Sequence, residues 1–117
     1  MSGSTAAGSA VTTHVLDAAR GHPAAGIAVR LEAESPEWTL LAEEETDADG
    51  RIRHLGPSRL DPGEYRLTFA TSEYFDRLSI EAFYPRVQIS FRITDPEQHY
   101  HVPVLLSPFA YSTYRGS

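Results

Sequence analysis

The sequence predicts an all-β domain, an antiparallel sandwich carrying one short helix. Short runs that are β-rich or that alternate apolar and polar residues follow one another along the chain, about eight in all. Gly, Pro and Asp clusters separate them, and these are the residues that tight turns select. Only one stretch shows helical spacing, whereas a βαβ fold needs a long helix between successive strands.

Met1 to Ala10 is uncharged and rich in Gly, Ser, Ala and Thr, and it buries too little to offset the cost of ordering. Residues 1–10 are therefore expected to form a disordered tail, and residues 11–117 the domain. Val11 to Asp17 is the first strand, and Ala18 to Gly26, with Gly21, Pro23 and Gly26, is a loop. Ile27, Val29 and Leu31 share one face of the next strand, Ile27 to Ala33, and Trp38 to Thr46 is another. Asp47-Ala48-Asp49-Gly50 is a tight turn that launches Arg51 to Leu55. After the Asp61-Pro62-Gly63 turn, Tyr65, Leu67 and Phe69 alternate with Arg66 and Thr68 in a half-buried strand. Thr71 to Ile80 is the helix, with Thr71 or Ser72 as its cap and Tyr74, Phe75 and Leu78 at helical spacing. Val87, Ile89, Phe91 and Ile93 alternate with polar residues in the clearest strand. His101 to Ser107 and Tyr111 to Arg115 are the last two.

A chain of 117 residues makes one domain. Its net charge is -6 and no Lys/Arg cluster stands out, which argues against nucleic acid as a partner; a few local arginines still suffice for a small anion. Cysteine is absent, so disulfides, thiolate catalysis and Cys-based zinc sites are excluded. The N-terminus lacks the basic and apolar regions of a secretory signal, and no apolar run approaches the roughly 20 residues of a spanning helix. No membrane association and a cytoplasmic location are expected.

The chemistry-bearing residues are the histidines. His14 lies on the face opposite Thr13 and Val15, and His99 and His101 share a face by the two-residue strand period. Each alone is most simply a solvated or hydrogen-bonded strand residue. His99 and His101 with His14 also form a weak candidate zinc set. No phosphate loop or nucleophile elbow is present. Glu43-Glu44-Glu45 reads as a solvated strand end, Arg51 and Arg53 as a surface strand, and Tyr65, Phe69, Tyr74 and Phe75 as core. The chain ends on a strand without a frayed polar tail, a hint that the end is used.

Thr13-His14-Val15-Leu16-Asp17, followed by Gly21-His22-Pro23-Ala24, resembles the opening of the transthyretin-like proteins. Thr46-Asp47-Ala48-Asp49-Gly50-Arg51 resembles their second motif. Tyr100-His101-Val102-Pro103 through Leu105-Leu106-Ser107-Pro108, then Tyr111-Ser112-Thr113-Tyr114-Arg115-Gly116-Ser117, resembles their C-terminal signature. The resemblance covers nearly everything after the first ten residues. Its most specific part is the ending Tyr114-Arg115-Gly116-Ser117, which separates the hydroxyisourate hydrolase branch from transthyretin itself, a hormone carrier with the same fold.

The resemblance implies a transthyretin-like sandwich of two four-stranded sheets, with the helix after the fifth strand. It implies hydrolysis of 5-hydroxyisourate, a cyclic amide of urate breakdown, without metal or organic cofactor. It implies His14, Arg51, His101 and Ser117 as active-site residues, and Tyr114, Arg115 and Gly116 as the rest of the terminal motif, contacting substrate. It implies a homotetramer, a dimer of dimers, with the sites in a channel between dimers. A neutral histidine suits the base, since its ordinary pKa is about 6.5. We favour His101 over His14 for that role, with Arg51 facing the anionic ring or the developing oxyanion. Ser117, with its hydroxyl and terminal carboxylate, suits positioning better than nucleophilic attack. Two other readings compete: a transthyretin-like carrier of a small ligand without catalysis, and a generic sandwich for protein contacts, which would put His14 and His101 on opposite sides.

Overall fold

Period-two alternation of buried and partly exposed side chains builds the strands of this computed structural model, which describes residues 8–117. On β1 (Val11–Asp17), Val11, Thr13, Val15 and Asp17 are buried, while Thr12, His14 and Leu16 lie on the outer face. The other strands are β2 (His22–Pro23), β3 (Ala28–Glu34), β4 (Trp38–Glu45), β5 (Arg51–Leu55), β6 (Gly63–Phe69), β7 (Val87–Ile93), β8 (Tyr100–Ser107) and β9 (Ala110–Thr113). One helix, α1 (Thr71–Arg77), follows β6.

Two sheets face each other. One runs β4-β3-β6-β7, and the other runs β2-β1-β8-β9, with β5 also paired to β1. β8 takes one side of β1, so β5 (against Val11–His14) and β2 (against Leu16 and Asp17) share the other in succession. The second sheet therefore has five strands where four were expected. It is still four strands wide, because the two-residue β2 forms inside the segment read as a loop. Pairing is antiparallel throughout except between β1 and β8, which are parallel.

The core fills the space between the sheets. Val15, Leu55 and Val104 come from one side, and Val29, Leu31, Leu67, Phe69 and Val87 from the other. Each such side chain contributes about 1.5–3 kcal/mol by leaving water. Helix α1 closes one end with Tyr74 and Phe75. Asp17 is fully buried, and it is satisfied there by the Tyr74 hydroxyl at 2.7 Å and the Arg20 amide at 3.0 Å. A carboxylate would not tolerate that position without such donors.

Several boundaries differ from the expected ones, β3, β4, β8 and the start of β9 by one residue. The helix stops at Arg77, with Leu78 as its C-cap, and Ala70 rather than Thr71 or Ser72 holds the N-cap position, making no side-chain bond. The last strand ends at Thr113 instead of Arg115. Within the expected tail, Ser9 and Ala10 are buried, and the Ser9 hydroxyl accepts from the Leu55 amide and donates to the Val11 carbonyl. Residues 1–7 lie outside those described. Among the described residues no helix is long and apolar enough to cross a membrane.

Candidate active site

The outer face of β1 and its two neighbours gathers the expected residues. His14 pairs across the antiparallel β1–β5 ladder with Arg51, and Thr12 pairs across the parallel β1–β8 ladder with His101. Such partners sit about 5 Å apart. Thr12, His14, Arg51 and His101 are each half-buried beside strand neighbours (Val11, Thr13, Ile52, Val102) that point into the core. His14 and His101 thus share one face of one sheet, which overturns the reading of a sandwich with the two on opposite sides.

The Asp47–Gly50 turn delivers Arg51. The Asp47 carboxylate accepts from the amides of Asp49 (2.8 Å) and Arg51 (3.0 Å) and from the Arg53 guanidinium (3.0 Å). The Arg51 amide bond, first among these, holds the Asp47 carboxyl below the usual carboxylate range. Gly50 adopts φ +77, and a Cβ there would overlap the Val15 carbonyl oxygen, so only glycine fits. Opposite Thr12, β5 carries one more residue than β1, a bulge of the kind that re-aims side chains beside functional sites.

From the other side comes the end of the chain. After β9 it continues along β8 in the same antiparallel register, and the Gly116 amide donates to the His101 carbonyl at 2.8 Å. A Cβ on Gly116 would stand 2.6 Å from His101 Cδ2 and 3.2 Å from Pro103 Cγ. Glycine is needed here for close approach, and the backbone forms a wall against the imidazole. Ser117 then lines an open cavity of about 190 Å³ together with Thr12, Arg51, Arg53, His99 and His101.

The side chains in this cavity are poised rather than spent. Among the described residues, no carboxylate pairs with the half-buried Arg51 guanidinium. His101 Nδ1 meets the Thr12 hydroxyl at 2.8 Å, and its Nε2 has no hydrogen-bond partner among the described residues. Burial, followed by the charges of His99, Arg51 and His14, pushes the His101 imidazole below its ordinary value of 6.5, against a smaller opposing effect of the Thr12 backbone. His101 is therefore neutral near pH 7 and able to accept a proton. His14, opposite Arg51 on the same face, is not among the residues that line this cavity; its Nε2 lies 3.0 Å from the Asp49 carbonyl oxygen, which can only accept, so Nε2 carries the proton and Nδ1 is left open.

Not every expected residue faces this cavity. Tyr114 and Arg115 line a neighbouring, larger cavity of about 430 Å³, also bordered by Tyr100 and His101. There the Arg115 guanidinium stacks 4.4 Å over the Tyr100 ring and donates to Gln98 at 3.0 Å. His99 and His101 do not converge with a third ligand: among the described residues, no three His, Cys, Asp or Glu side chains form a metal-sized cluster. Both rings bond to the Thr12 hydroxyl instead. Sequence reasoning passed over Thr12. Its only signal was that it shares a strand face with His14.

A family model described as HIUase/Transthyretin family matches residues 11–116. A 5-hydroxyisourate hydrolase of Salmonella typhi is 45% identical over 115 residues, covering 96% of this chain and 85% of that protein. The mouse (Mus musculus) 5-hydroxyisourate hydrolase is 48% identical, covering 93% of this chain and 96% of its own. The structure of Klebsiella pneumoniae 5-hydroxyisourate hydrolase superposes with a TM-score of 0.82 at 42% identity, covering 92% of this chain and 98% of that one. Sea bream transthyretin in complex with thyroxine superposes with a TM-score of 0.85 at 32% identity, covering 91% of this chain and 93% of that one. With the motifs, the sandwich and these matches in agreement, the chain belongs to the HIUase/Transthyretin family.

Proposed function

We propose that this protein hydrolyses 5-hydroxyisourate, opening the cyclic amide to 2-oxo-4-hydroxy-4-carboxy-5-ureidoimidazoline in urate breakdown. One observation carries the reading: Arg51, whose guanidinium has no carboxylate partner among the described residues, and a neutral imidazole line the same small cavity. A ligand carrier gains nothing from a proton acceptor there. The relatives that bear the hydrolase name are also closer in sequence than the hormone carrier.

His101 Nε2 takes a proton from water as its oxygen adds to the ring carbonyl. Negative charge grows on the carbonyl oxygen, where the planar fork of Arg51 stabilises it. The tetrahedral adduct collapses, the ring C–N bond breaks, and the proton passes to the leaving nitrogen. His14, through Nδ1, orients the water or assists that transfer. Ser117 positions the ring by its hydroxyl, while Gly116, Tyr114 and Arg115 form the wall behind it. The amide is already activated by neighbouring carbonyls, so orientation and proton transfer suffice.

The working assembly is a homotetramer. Phe83 (70% exposed), Phe109 (63%) and Tyr114 (59%) present aromatic side chains that a second protomer would cover. Strands β7 and β9 are unpaired sheet edges next to them. The cytoplasm suits a chain without cysteine. The test of function is the ultraviolet decay of freshly generated 5-hydroxyisourate. The proposal requires the protein to accelerate it, and an unchanged decay would refute it.

A further inference from the structure

The Thr12 hydroxyl sits between two imidazoles, 2.8 Å from His99 Nε2 and 2.8 Å from His101 Nδ1. A hydroxyl has one proton to give. If it donates to His99, His101 must donate to it through Nδ1–H, and His101 Nε2 is left bare. If it donates to His101, Nε2 carries the proton instead and cannot act as a base. The second arrangement is disfavoured by what surrounds the ring. His101 lines the cavity with Arg51, and a cation is better faced by a lone pair than by an N–H. His99 is exposed and adopts either tautomer in water without penalty.

We propose that Thr12 is a positioning residue that, by donating to His99, fixes His101 in the tautomer whose Nε2 is open to the cavity. The inference rests on the hydrolase reading of this site. It adds that His99 contributes to the same device, although it need not touch substrate. The other charged groups around the two rings are His14 on β1, Arg51 and Arg53 on β5, and Arg115 in the C-terminal segment, whose guanidinium donates to the His99 carbonyl at 3.3 Å.

The test compares Thr12→Val, which keeps the shape but loses the hydroxyl, with Thr12→Ser and His99→Ala. The first readout is the ¹⁵N shift pattern of the His101 ring in labelled protein, above its pKa and without substrate. The unmodified protein should show protonated Nδ1 and bare Nε2. Thr12→Val should move the ring toward the Nε2–H form, His99→Ala should do so in part, and Thr12→Ser should restore the original pattern. The second readout is turnover: Thr12→Val should lower kcat roughly 10-fold with KM little changed, as expected when one orienting hydrogen bond to the base is lost. An Nε2–H tautomer in the unmodified protein, or the original tautomer and kcat in Thr12→Val, would overturn the proposal. Since the tautomer is read without substrate, failure of the hydrolase assay would leave this result standing or falling by itself.

Discussion

Replacing Gly116 by alanine should disable the site while leaving the fold in place. The Cβ would stand 2.6 Å from His101 Cδ2, whereas carbon atoms in contact lie about 3.5–4.0 Å apart. About 1 Å must be found. Pro103 closes the other direction at 3.2 Å, so either the imidazole swings away or the C-terminal segment lifts and breaks the 2.8 Å bond from the Gly116 amide to the His101 carbonyl. The first displaces the base and the second withdraws Ser117 from the cavity. A 1 Å misplacement of a reacting group costs on the order of 100-fold in rate. Gly116 lies one residue from the end of the sequence and outside the core, so unfolding free energy should change by no more than about 1 kcal/mol. Initial rates with fresh 5-hydroxyisourate, paired with a urea titration, separate the two effects. Wild-type kcat/KM in Gly116→Ala would show that the close approach to His101 has no bearing on catalysis.

Further outcomes follow from the same geometry. Gly50→Ala combines a left-handed backbone with overlap on the Val15 carbonyl, so it should lose roughly 3 kcal/mol or more of stability in a denaturant titration; an unchanged midpoint would contradict the turn described above. Because the folded-state pKa of His101 is depressed, its neutral form persists as pH falls, and the acid limb of kcat/KM should have its midpoint below 6.5. Arg51→Ala removes one of the positive charges that add to burial, so it should raise that midpoint while lowering kcat; a midpoint that stays fixed or falls would contradict the contribution assigned to Arg51. Sedimentation should give four times the 12.9 kDa chain mass, and a fully active monomer would contradict a site built between dimers.

The elements legible in the sequence were those governed by local rules. Alternation located β3, β6 and β7, because half-buried strands print their burial as a two-residue period. Asp47 and Gly50 announced their turn through side-chain and backbone chemistry that acts within four residues. The helix was found from its first residue, Thr71, but it ends at Arg77 rather than Ile80, and its N-cap is Ala70, which makes no side-chain bond. β2 escaped notice because two residues cannot show a period, and Ser9 and Ala10 because their anchors, Arg53 and Leu55 for Ser9 and Pro57 and Tyr100 for Ala10, lie more than forty residues away.

At the site, periodicity could say which face of its own strand His14 or His101 occupies, but not which strands lie side by side. The parallel β1–β8 register that brings Thr12 to His101 spans 89 residues of sequence and is set by the hydrophobic match of two sheets. The resemblance supplied the four expected residues. The roles of Thr12 and of the Asp49 carbonyl emerge only once strand order and register are known.

Turnover by His101→Ala bears most directly on the chemistry assigned to this site. Measured with fresh 5-hydroxyisourate on a variant whose circular dichroism and assembly match the unmodified protein, kcat should fall by about 100-fold or more, the range expected on losing a general base. An unaltered kcat in that folded variant would contradict the assignment of His101 as the base.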